Sequence, residues 1–535
     1  MVLAIVDLLR SPWTIVLTLV SLVVYKFVIK NWNFFDKIGI KYVRGAPILG
    51  VQYQVLLGKK TSMDTFVDLY KEHSKEQVIG AYDIGGAPMY VINDIDIAKR
   101  VTSKDFDHFT NHRFHIDKEV DPLLGRSMFA TNDQDWKDIR STTSPAFTGS
   151  KMRQMLSLIN ECTFDLCDNI KNEIQNKHSD TFDLKELMQR FVANTIASTA
   201  FGFKMNSFQD KDNEFYKHGY SAANLDGIKG MKFFAFQSIP KIMNFFKIRM
   251  MHEKDTEYFR SMIRQNMKYR EENNIYRPDM IHLMMEARKG SLHHDTTSND
   301  DIGFATVQES DYGRNSTKHL KFTEDDLVAQ CMIFIFGGFN AVPTSQCFAA
   351  MEVAANVDIQ DRLYNEIKSV HDQLAGQPLT YELLQNMKYM DQVVCETLRR
   401  WSIAPFSDRE VNKPYTIELK NGKKIELKTG DGIWMPIAGY HMDEKYFPNP
   451  KRFDPERFSE ENKKNIVQGS YIPFSIGPRN CVGSRYALMF MKVAIYYLVL
   501  NFQLELCEKS TYPIQLKLNT AFVDADFWVK LKPRT

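Results

Sequence analysis

The feature that most constrains this chain is a cysteine loop near its C-terminal end, residues 473–486, with the sequence PFSIGPRNCVGSRY. In this loop Gly477 can adopt the positive φ of a tight turn, and Gly483 leaves room for a close approach of the backbone. The apolar residues 482–500 predict a helix directly after Cys481. Because a helix N-terminus favours an anion, we expect a lowered thiol pKa at Cys481 and a thiolate that is available to a metal.

The loop alone also fits a buried cysteine in a glycine-rich turn, and that alternative stays open at this point. The chain has seven cysteines without the CxxC pairs of zinc or redox sites, which indicates a reducing compartment. For six of them we expect the role of a small buried hydrophobic side chain. These six are Cys162, Cys167, Cys331, Cys347, Cys395 and Cys507.

The composition predicts a large folded core. Of the 535 residues, 44% are hydrophobic and 12% are aromatic, which is enough for one large domain or two smaller ones. The formal net charge is +2 and no long run carries one sign, so the basic surface typical of nucleic-acid binding is missing. We therefore expect no nucleic-acid partner.

Residues 1–30 are strongly apolar and predict an N-terminal signal-anchor transmembrane helix. The run from residue 12 to residue 29 contains a single charge, and basic residues follow it. The positive-inside rule then places the remainder of the chain in the cytosol. A cleaved secretory peptide is the alternative, but no small-residue cleavage site follows the apolar run.

Beyond the anchor the chain is predicted to be mainly α, with small β-hairpins. Residues 31–50 are a basic linker with a proline hinge, and residues 51–535 form one large domain. Hairpins are predicted at Gly85-Gly86 and at Asn421-Gly422, where β-forming residues flank a turn. Residues 287–321 are polar and aperiodic, which predicts a long surface loop.

A long apolar helix is predicted after Thr323, which forms a capping-box pattern with Asp326. Its sequence, LVAQCMIFIFGGFNAVPTSQCFAAMEVAA, is apolar on nearly every side, so the helix is expected to be buried in the middle of the domain. Pro343 lacks a backbone donor and clashes with the carbonyl of Phe339 in a regular helix. We therefore expect a kink at Pro343.

The cysteine loop matches the pattern FxxGxRxCxG at every specified position, with Phe474, Gly477, Arg479, Cys481 and Gly483. This pattern resembles the haem-ligand signature of the cytochrome P450 superfamily. The resemblance implies a cytochrome P450 fold and haem b (iron protoporphyrin IX) as the cofactor. It also implies that Cys481 ligates the iron, that Phe474 shields the sulfur, and that Arg479 pairs with a haem propionate.

Glu396 and Arg399 form an ExxR pair on one helical face, which resembles the structural ion pair of the same superfamily. Arg457, in the segment FDPERF, resembles the third member of its Glu-Arg-Arg network. The resemblance implies that this network holds the cysteine loop. A solvated surface ion pair is the alternative.

Three further residues resemble the superfamily's propionate contacts. Trp136 and Arg140 resemble its WxxxR helix, and Arg409 resembles another basic contact. Two buried carboxylates require such partners. Each residue has a packing or surface role as its alternative.

The segments GIKYVRGAP and MEVAANVDIQDRLYNEI look like those of insect microsomal monooxygenases. This resemblance implies insertion of one oxygen atom of O2 into a lipophilic small molecule, either a xenobiotic or an endogenous lipid or hormone. It implies electrons from NADPH through a membrane-bound flavoprotein reductase. It also implies a place in the endoplasmic reticulum membrane, with the catalytic domain facing the cytosol.

The core helix departs from the superfamily pattern AGx(D/E)T, because residues 337–341 read GGFNA and lack both the acid and the alcohol. We expect a water-mediated proton relay through Asn340, Thr344 and the carbonyl of Phe339. A Thr344 hydroxyl that simply bonds back to its own helix is the alternative. The departure keeps two other functions open: a reductase-independent peroxide isomerase or dehydratase, and a haem protein that only binds a ligand.

Residues 228–251 combine aromatic and aliphatic side chains with Lys and Arg, which predicts an amphipathic stretch at the membrane interface. Lipophilic substrate would enter there, and an ordinary helix packed on the core is the alternative. By resemblance, Ala521 and Phe522 line the substrate pocket. Three basic residues near the cysteine loop are candidates to meet an acidic partner surface, with a solvated face as the alternative; they are Lys137, Arg485 and Lys492.

Overall fold

The computed structural model describes residues 33–534 except 178, 290–302, 307–322 and 519, together with a few isolated positions before residue 33. Apart from those isolated positions, the predicted signal anchor, residues 1–30, lies outside the described residues. Most of the predicted polar loop lies outside them too.

Helices dominate the described residues, which confirms the prediction of a mainly α fold. In chain order they are α1 (Phe34–Ile38), α2 (Tyr53–Leu56), α3 (Ser62–Lys71), α4 (Ile95–Lys99), α5 (Asp133–Thr143), α6 (Gly149–Lys177), α7 (Leu184–Thr199), α8 (Glu214–Ala223), α9 (Ile228–Ser238), α10 (Pro240–Phe245), α11 (Glu253–Asn273), α12 (Met280–Lys289), α13 (Glu324–Ile333), α14 (Ala341–Ala355), α15 (Val357–Leu374), α16 (Tyr381–Asn386), α17 (Lys388–Arg400), α18 (Ile437–His441) and α19 (Ser484–Asn501).

Short strands form three small sheets in the part of the chain that the structure describes. The strands are β1 (Tyr42–Val43), β2 (Val78–Tyr82), β3 (Pro88–Ile92), β4 (Thr181–Asp183), β5 (Ser407–Glu410), β6 (Tyr415–Glu418), β7 (Lys424–Leu427), β8 (Gly432–Met435), β9 (Phe502–Glu505) and β10 (Trp528–Pro533). The largest sheet has the order β1-β2-β3-β8-β5, the second has the order β4-β10-β9, and β6 pairs with β7.

Both predicted hairpins are present. Strands β2 and β3 are antiparallel, with Tyr82 opposite Pro88. The turn between them contains Gly85 and Gly86, whose φ values are 77° and 67°. Strands β6 and β7 form the second hairpin, in which Gly422 has a φ of 81°. Positive φ at the turn positions is the reason that glycine occupies them.

The predicted core helix is present, but it is broken in two. Helix α13 starts at the predicted capping box: the Asp326 N–H donates to Thr323 Oγ1 over 3.2 Å, and the Thr323 N–H donates to the Asp326 carboxylate over 2.9 Å. A π-helical turn over Phe334–Gly338 follows, and α14 begins at Ala341. The break therefore lies at Phe339 and Asn340, next to the carbonyl with which Pro343 was expected to clash, and not at Pro343 itself. Pro343 is the third residue of α14, where a missing N–H costs little.

The two halves of the broken helix cross the interior of the domain. The stretch Glu324–Ala355 is long and apolar enough to span a membrane, but 67% of its most apolar part is buried inside the protein. Its second half packs against α7 and α19. This confirms the prediction of a helix buried in the middle of the domain.

The predicted polar loop contains a docked segment. The Phe304 N–H donates to the Asp391 carboxylate on α17 over 2.9 Å, and the Phe304 ring stacks on Tyr471 with 5.8 Å between the ring centroids. Ala305 is buried in the main hydrophobic core. Part of the expected surface loop thus packs onto the domain.

Candidate functional site

The cysteine loop is held in shape by its own backbone. The Cys481 N–H donates to the carbonyl of Phe474, and the Asn480 N–H donates to the carbonyl of Gly477, both over 3.0 Å. Gly477 has a φ of 80°, as predicted, and a Cβ added there would lie 1.7 Å from the carbonyl oxygen of Thr102. Any other residue at position 477 would push the loop away from Thr102.

The electrostatics of the Cys481 thiol differ from our prediction. Burial raises its thiol pKa, and this outweighs the lowering by the Gly483 N–H and by the Arg140 guanidinium. The expected lowering of the pKa was therefore wrong, because desolvation of the anion exceeds the effect of the nearby helix N-terminus. The Cys481 side chain is nevertheless exposed, whereas five of the other six cysteines are buried and Cys507 is half-buried. Such a thiol loses its proton when a metal binds it.

Arg140 supports the residue that precedes the cysteine. Helix α5 carries Trp136 and Arg140, and the Arg140 guanidinium donates to the backbone carbonyl of Asn480 over 2.9 Å and to its side-chain oxygen over 2.6 Å. These two charge-assisted bonds hold Asn480 from both sides. The predicted WxxxR helix therefore contacts the cysteine loop.

Arg479 is buried under α5. Its guanidinium donates to the carbonyls of Thr110, Met128 and Thr131 over 2.9, 3.1 and 2.6 Å, and it lies 4.2 Å from the centre of the Trp136 ring. Burial and the nearby Arg409 and Arg140 lower its pKa well below the ordinary value. An anion beside this group would relieve that cost.

Arg409 on β5 is a buried cation that lacks part of its hydrogen bonding. The side chain is fully buried, and two of its nitrogens, Nε and Nη2, have no partner among the described residues. Burial lowers the pKa of its guanidinium to about 10. The neighbouring Asp408 carboxylate accepts instead from His112 over 2.9 Å and from the Arg113 N–H over 2.7 Å. Arg409 thus has room for an anionic partner that the described residues do not supply.

The predicted Glu-Arg-Arg network is present. Glu396 and Arg399 are fully buried and form a bidentate pair with distances of 2.7 and 2.8 Å. Arg457 Nε lies 3.4 Å from Glu396 Oε1. Arg399 also donates to the carbonyls of His441 and Pro450, each over 2.8 Å. The pair is structural and buried, so the alternative of a solvated ion pair is wrong.

His441, which sequence reasoning missed, joins this network to the cysteine loop. Its Nε2 accepts the N–H of Ile472, directly before residues 473–486, over 3.0 Å. Its Nδ1 lies 2.8 Å from the Ser402 hydroxyl, so Nδ1 carries the proton and donates. Burial, and then the Arg399 charge, lower the imidazole pKa to about 3. Only the neutral ring fits this position.

We predict that acid destabilises the cysteine loop through His441. The unfolded imidazole takes up a proton below about pH 6.5, whereas the folded one does so only near pH 3, so stability is full above about pH 6.5 and falls toward pH 3. At pH 5 we expect the depressed pKa of His441 to lower the free energy of unfolding by about 2 kcal/mol relative to neutral pH. Chemical denaturation of the wild type and of His441→Gln between pH 7 and pH 4.5 measures it. The free energy of unfolding should depend less on pH in His441→Gln than in the wild type. The exposed control His252→Gln should keep the wild-type dependence. Equal slopes in all three proteins would refute the assignment.

The π-helical turn of the core helix contains an exposed glycine. This is Gly337, and a Cβ added there would meet no atom of the described residues within 4 Å. The Phe147 ring stacks on Phe334 of this helix with 5.6 Å between centroids, and it lies 3.8 Å from the Cβ position of Gly483. Phe147 therefore contacts the core helix on one side and lies next to the cysteine loop on the other, and both Gly337 and Cys481 are exposed. Among the described residues no backbone atom lies within 4 Å of a Cβ at Gly483, so the close backbone approach that we expected as the reason for this glycine is not seen there.

The predicted relay residue Thr344 is already engaged. Its hydroxyl donates to the Asn340 carbonyl over 2.7 Å, which is the back-bonded alternative. The same oxygen accepts from the ammonium group of Lys185, which pairs with Asp524 at 3.0 Å. Lys185 and Asp524 were missed because they are far from Thr344 in the sequence. Position 185 showed no signal except a lysine at a helix start.

The other predicted surfaces are met in part. Phe522 is half-buried near Phe233, with 5.8 Å between ring centroids. Lys137 is half-exposed and lies 3.5 Å from Asp107, and Arg485 is half-buried. Lys492 is fully buried and paired with Asp391 at 2.9 Å, so its predicted contact with a partner was wrong. Lys492 lies on the helix that follows the cysteine loop, but α17 and Gly303 cover it. A Cβ added to Gly303 would lie 2.9 Å from Lys492 Nζ.

The domain is helical with small sheets, and it has an accessible interior cysteine with buried arginines around it. These features define a class of proteins that bind a prosthetic group through a cysteine thiol. Residues 42–526 match the family model described as "Cytochrome P450". The chain belongs to the cytochrome P450 family and is an oxidoreductase, a monooxygenase. The family implies a haem iron cofactor.

Relatives from insects are similar over nearly the whole chain. "Probable cytochrome P450 9f2" of Drosophila melanogaster is 40% identical over 520 residues, which cover 95% of this chain and 97% of the relative. "Cytochrome P450 9e2" of Blattella germanica is 36% identical over 538 residues, or 98% of each chain. "Cytochrome P450 6j1" of Blattella germanica is 31% identical over 495 residues, or 92% of each chain. The predicted resemblance to insect enzymes is confirmed.

Proposed function

We propose that this protein inserts one oxygen atom of O2 into a lipophilic small molecule, a xenobiotic or an endogenous lipid or hormone. NADPH supplies the electrons through a flavoprotein reductase. The observation that carries the proposal is the thiol of Cys481, which is exposed although it lies in the interior. It stands in the loop whose residues match FxxGxRxCxG.

The residues around this interior fit haem b. Two donor nitrogens of the buried Arg409 have no partner among the described residues, and a haem carboxylate would supply one. Arg479 and Arg140 lie on the same side, stacked on or next to Trp136. We assign these four residues to the propionates and Cys481 to the iron. When bound, haem supplies the iron at which oxygen is activated, and an electron-donating thiolate favours that activation.

Three other loop residues shape the iron side of the site. Gly477 permits the turn that brings the loop against Thr102. The backbone carbonyl of the half-buried Phe474 accepts the Cys481 N–H, and we assign its ring to shielding the sulfur. At Gly483 the nearest side chain is 3.8 Å from a Cβ position, and we assign the remaining room to the porphyrin.

Asn340 and Thr344 are the proposed proton-handling residues on the substrate side. Asn340 is half-buried at the start of α14, directly after the open turn of the core helix. Neither side chain titrates near neutral pH, so each can only orient water or pass a proton by exchange. Delivery of protons from solvent then depends on the residues and the space that adjoin Thr344.

We further propose that the protein sits on the endoplasmic reticulum membrane, with its catalytic domain in the cytosol. The apolar residues 1–30 support this, as does the surface of α9 and α10. Ile228, Phe245 and Phe246 are 69%, 79% and 66% exposed there, next to the exposed Lys241 and Lys247. Exposed aromatic groups flanked by lysines suit an anionic membrane surface, from which lipophilic substrate can enter.

A second function is favoured by the state of Thr344. Its hydroxyl is bonded to the Asn340 carbonyl and to Lys185, and the usual position of the alcohol is occupied by Ala341. A peroxide isomerase or dehydratase starts with oxygen already in its substrate and needs neither the alcohol nor a reductase. A haem protein that only binds a ligand would be equally compatible with the arginines and the cysteine.

One experiment separates these functions. The purified haem-loaded protein is given reductase, NADPH and a panel of lipophilic compounds, and product and hydrogen peroxide are followed together. It is then given organic hydroperoxides without reductase. We expect NADPH-dependent oxygenated product with little peroxide release. Fast turnover of hydroperoxides alone would establish the isomerase function, and neither activity in fully loaded protein would leave ligand binding.

A further inference from the structure

A narrow cavity lies behind Thr344, at the break of the core helix. It is lined by the start of α7, the turn before α9, the start of α14 and the C-terminal segment 520–524. The space open to the centre of a water molecule is about 10 Å³, close to the minimum that one ordered water requires. The polar residues that line it are Lys185, Asp226, Asn340, Thr344, Thr520 and Asp524.

Lys185 fixes the inner end of this cavity. Its ammonium group donates to the Thr344 hydroxyl oxygen and pairs with Asp524 at 3.0 Å. The side chains of Lys185 and Asp524 are only 14% and 15% exposed. Since the Thr344 hydroxyl donates to the Asn340 carbonyl over 2.7 Å, all members of this cluster are oriented by their neighbours. The hydroxyl is held between a cation and the helix break.

Asp226 forms the outer end. It is exposed at the surface, yet it lines the same cavity as the buried Thr344. Burial of its carboxyl and the nearby Asp524 raise its pKa, against Lys185 and Lys517, which lower it. Tyr220 also faces this carboxyl. A carboxyl with a raised pKa holds a proton more readily than an ordinary surface aspartate.

We propose that a water molecule in this cavity carries protons from Asp226 to Thr344, and that Lys185 with Asp524 holds the Thr344 hydroxyl in line. The Asp226 O–H bond breaks as the water gains a proton, and the water gives another of its protons to Thr344 Oγ1. The Thr344 hydroxyl, which donates to the Asn340 carbonyl in this structure, turns away from that carbonyl and releases its own proton to a water on the substrate side, and solvent reprotonates Asp226. Each bond broken is matched by one formed, and no electron moves.

This route replaces what the core helix lacks. The usual acid and alcohol stand on one helix, whereas here the acid comes from the turn before α9 and the alcohol lies one helical turn beyond Ala341. Lys185 and Asp524 are positioning residues, because they act through Thr344. The inference rests on the proposed monooxygenase function, which consumes protons in every turnover.

The test compares Asp226→Asn and Lys185→Met with the matched control Lys530→Met in the haem-loaded, full-length protein. Lys530 on β10 is paired with Asp180 at 2.9 Å and does not line the cavity. Because a positioned acid contributes about 100-fold or more, we expect Asp226→Asn to lower product per NADPH by at least about tenfold. The solvent deuterium isotope effect on product formation should rise in Asp226→Asn and Lys185→Met. Lys530→Met should behave as the wild type.

A second readout is independent of activity. A high-resolution crystal structure of the loaded wild type should contain one ordered water within hydrogen-bonding distance of Thr344 Oγ1 and on the path to Asp226. A dry cavity, or an unchanged isotope effect and product yield in Asp226→Asn, would overturn the inference. Asp226 is at the surface, so its variant tests the route even if Lys185→Met does not fold. Absence of NADPH-dependent product in the wild type would instead refute the proposed function.

Discussion

Replacing Cys481 by serine is expected to abolish the red-shifted Soret band of the ferrous carbon monoxide complex, together with all NADPH-dependent oxidation. Serine keeps the size of the side chain, and its backbone N–H can still donate to the Phe474 carbonyl. The hydroxyl is a hard, weak ligand and cannot donate electron density as a thiolate does. The measurement is the reduced carbon monoxide difference spectrum of the purified protein.

The matched control is Cys507→Ser, at a half-buried cysteine that follows α19 and β9 in the sequence. It should keep the band and the activity. Survival of the band in Cys481→Ser would show that another residue ligates the iron. Loss of haem from both variants alike would point to general damage, which the thermal midpoint of each protein reveals.

Replacing Glu396 by glutamine is expected to destabilise the protein by about 3–5 kcal/mol, because it leaves the Arg399 charge buried without its counter-ion. Both side chains are fully inaccessible, and the Glu396 carboxylate also accepts the Asp454 N–H over 2.9 Å. Total stability of a domain is typically only about 5–15 kcal/mol, so much of the variant should be unfolded or haem-depleted at 37 °C. Denaturant titration and the haem-to-protein ratio measure the effect.

Glu456→Gln provides the control on an exposed pair. Glu456 pairs with Arg362, and the two side chains are 44% and 56% exposed. Such a pair contributes about 1 kcal/mol or less, so this variant should retain its haem. Equal losses in both variants would contradict a special role for the buried network.

The buried network and His441 together suggest how the cysteine loop is kept rigid. Arg399 binds the His441 carbonyl over 2.8 Å, and the His441 ring binds the Ile472 N–H over 3.0 Å. Ile472 directly precedes the loop, and Arg140 holds Asn480 near its other end. The thiol is thus positioned by contacts on both sides, which suits a ligand whose free pKa is raised by burial.

Features encoded by neighbouring residues could be predicted before the fold was known. The turn glycines, the capping box at Thr323, the burial of the apolar core helix and the ExxR pair depend on local backbone preference or on helical spacing, and each is present. The pattern around Cys481 also identified the family. Where the sequence departs from that pattern, at Asn340-Ala341, it showed that a proton route was missing without showing what takes its place.

Contacts between residues that are distant in the sequence became known only from the folded chain. Lys185 and Asp524 reach Thr344, Gly303 covers Lys492, and His441 joins two parts of the site, although long stretches of chain separate them. Desolvation is likewise a property of the folded surroundings, which is why the Cys481 pKa is raised although its local sequence predicts the opposite. Local spacing determines periodicity and turn geometry, whereas burial and long-range pairing arise only when the chain has folded.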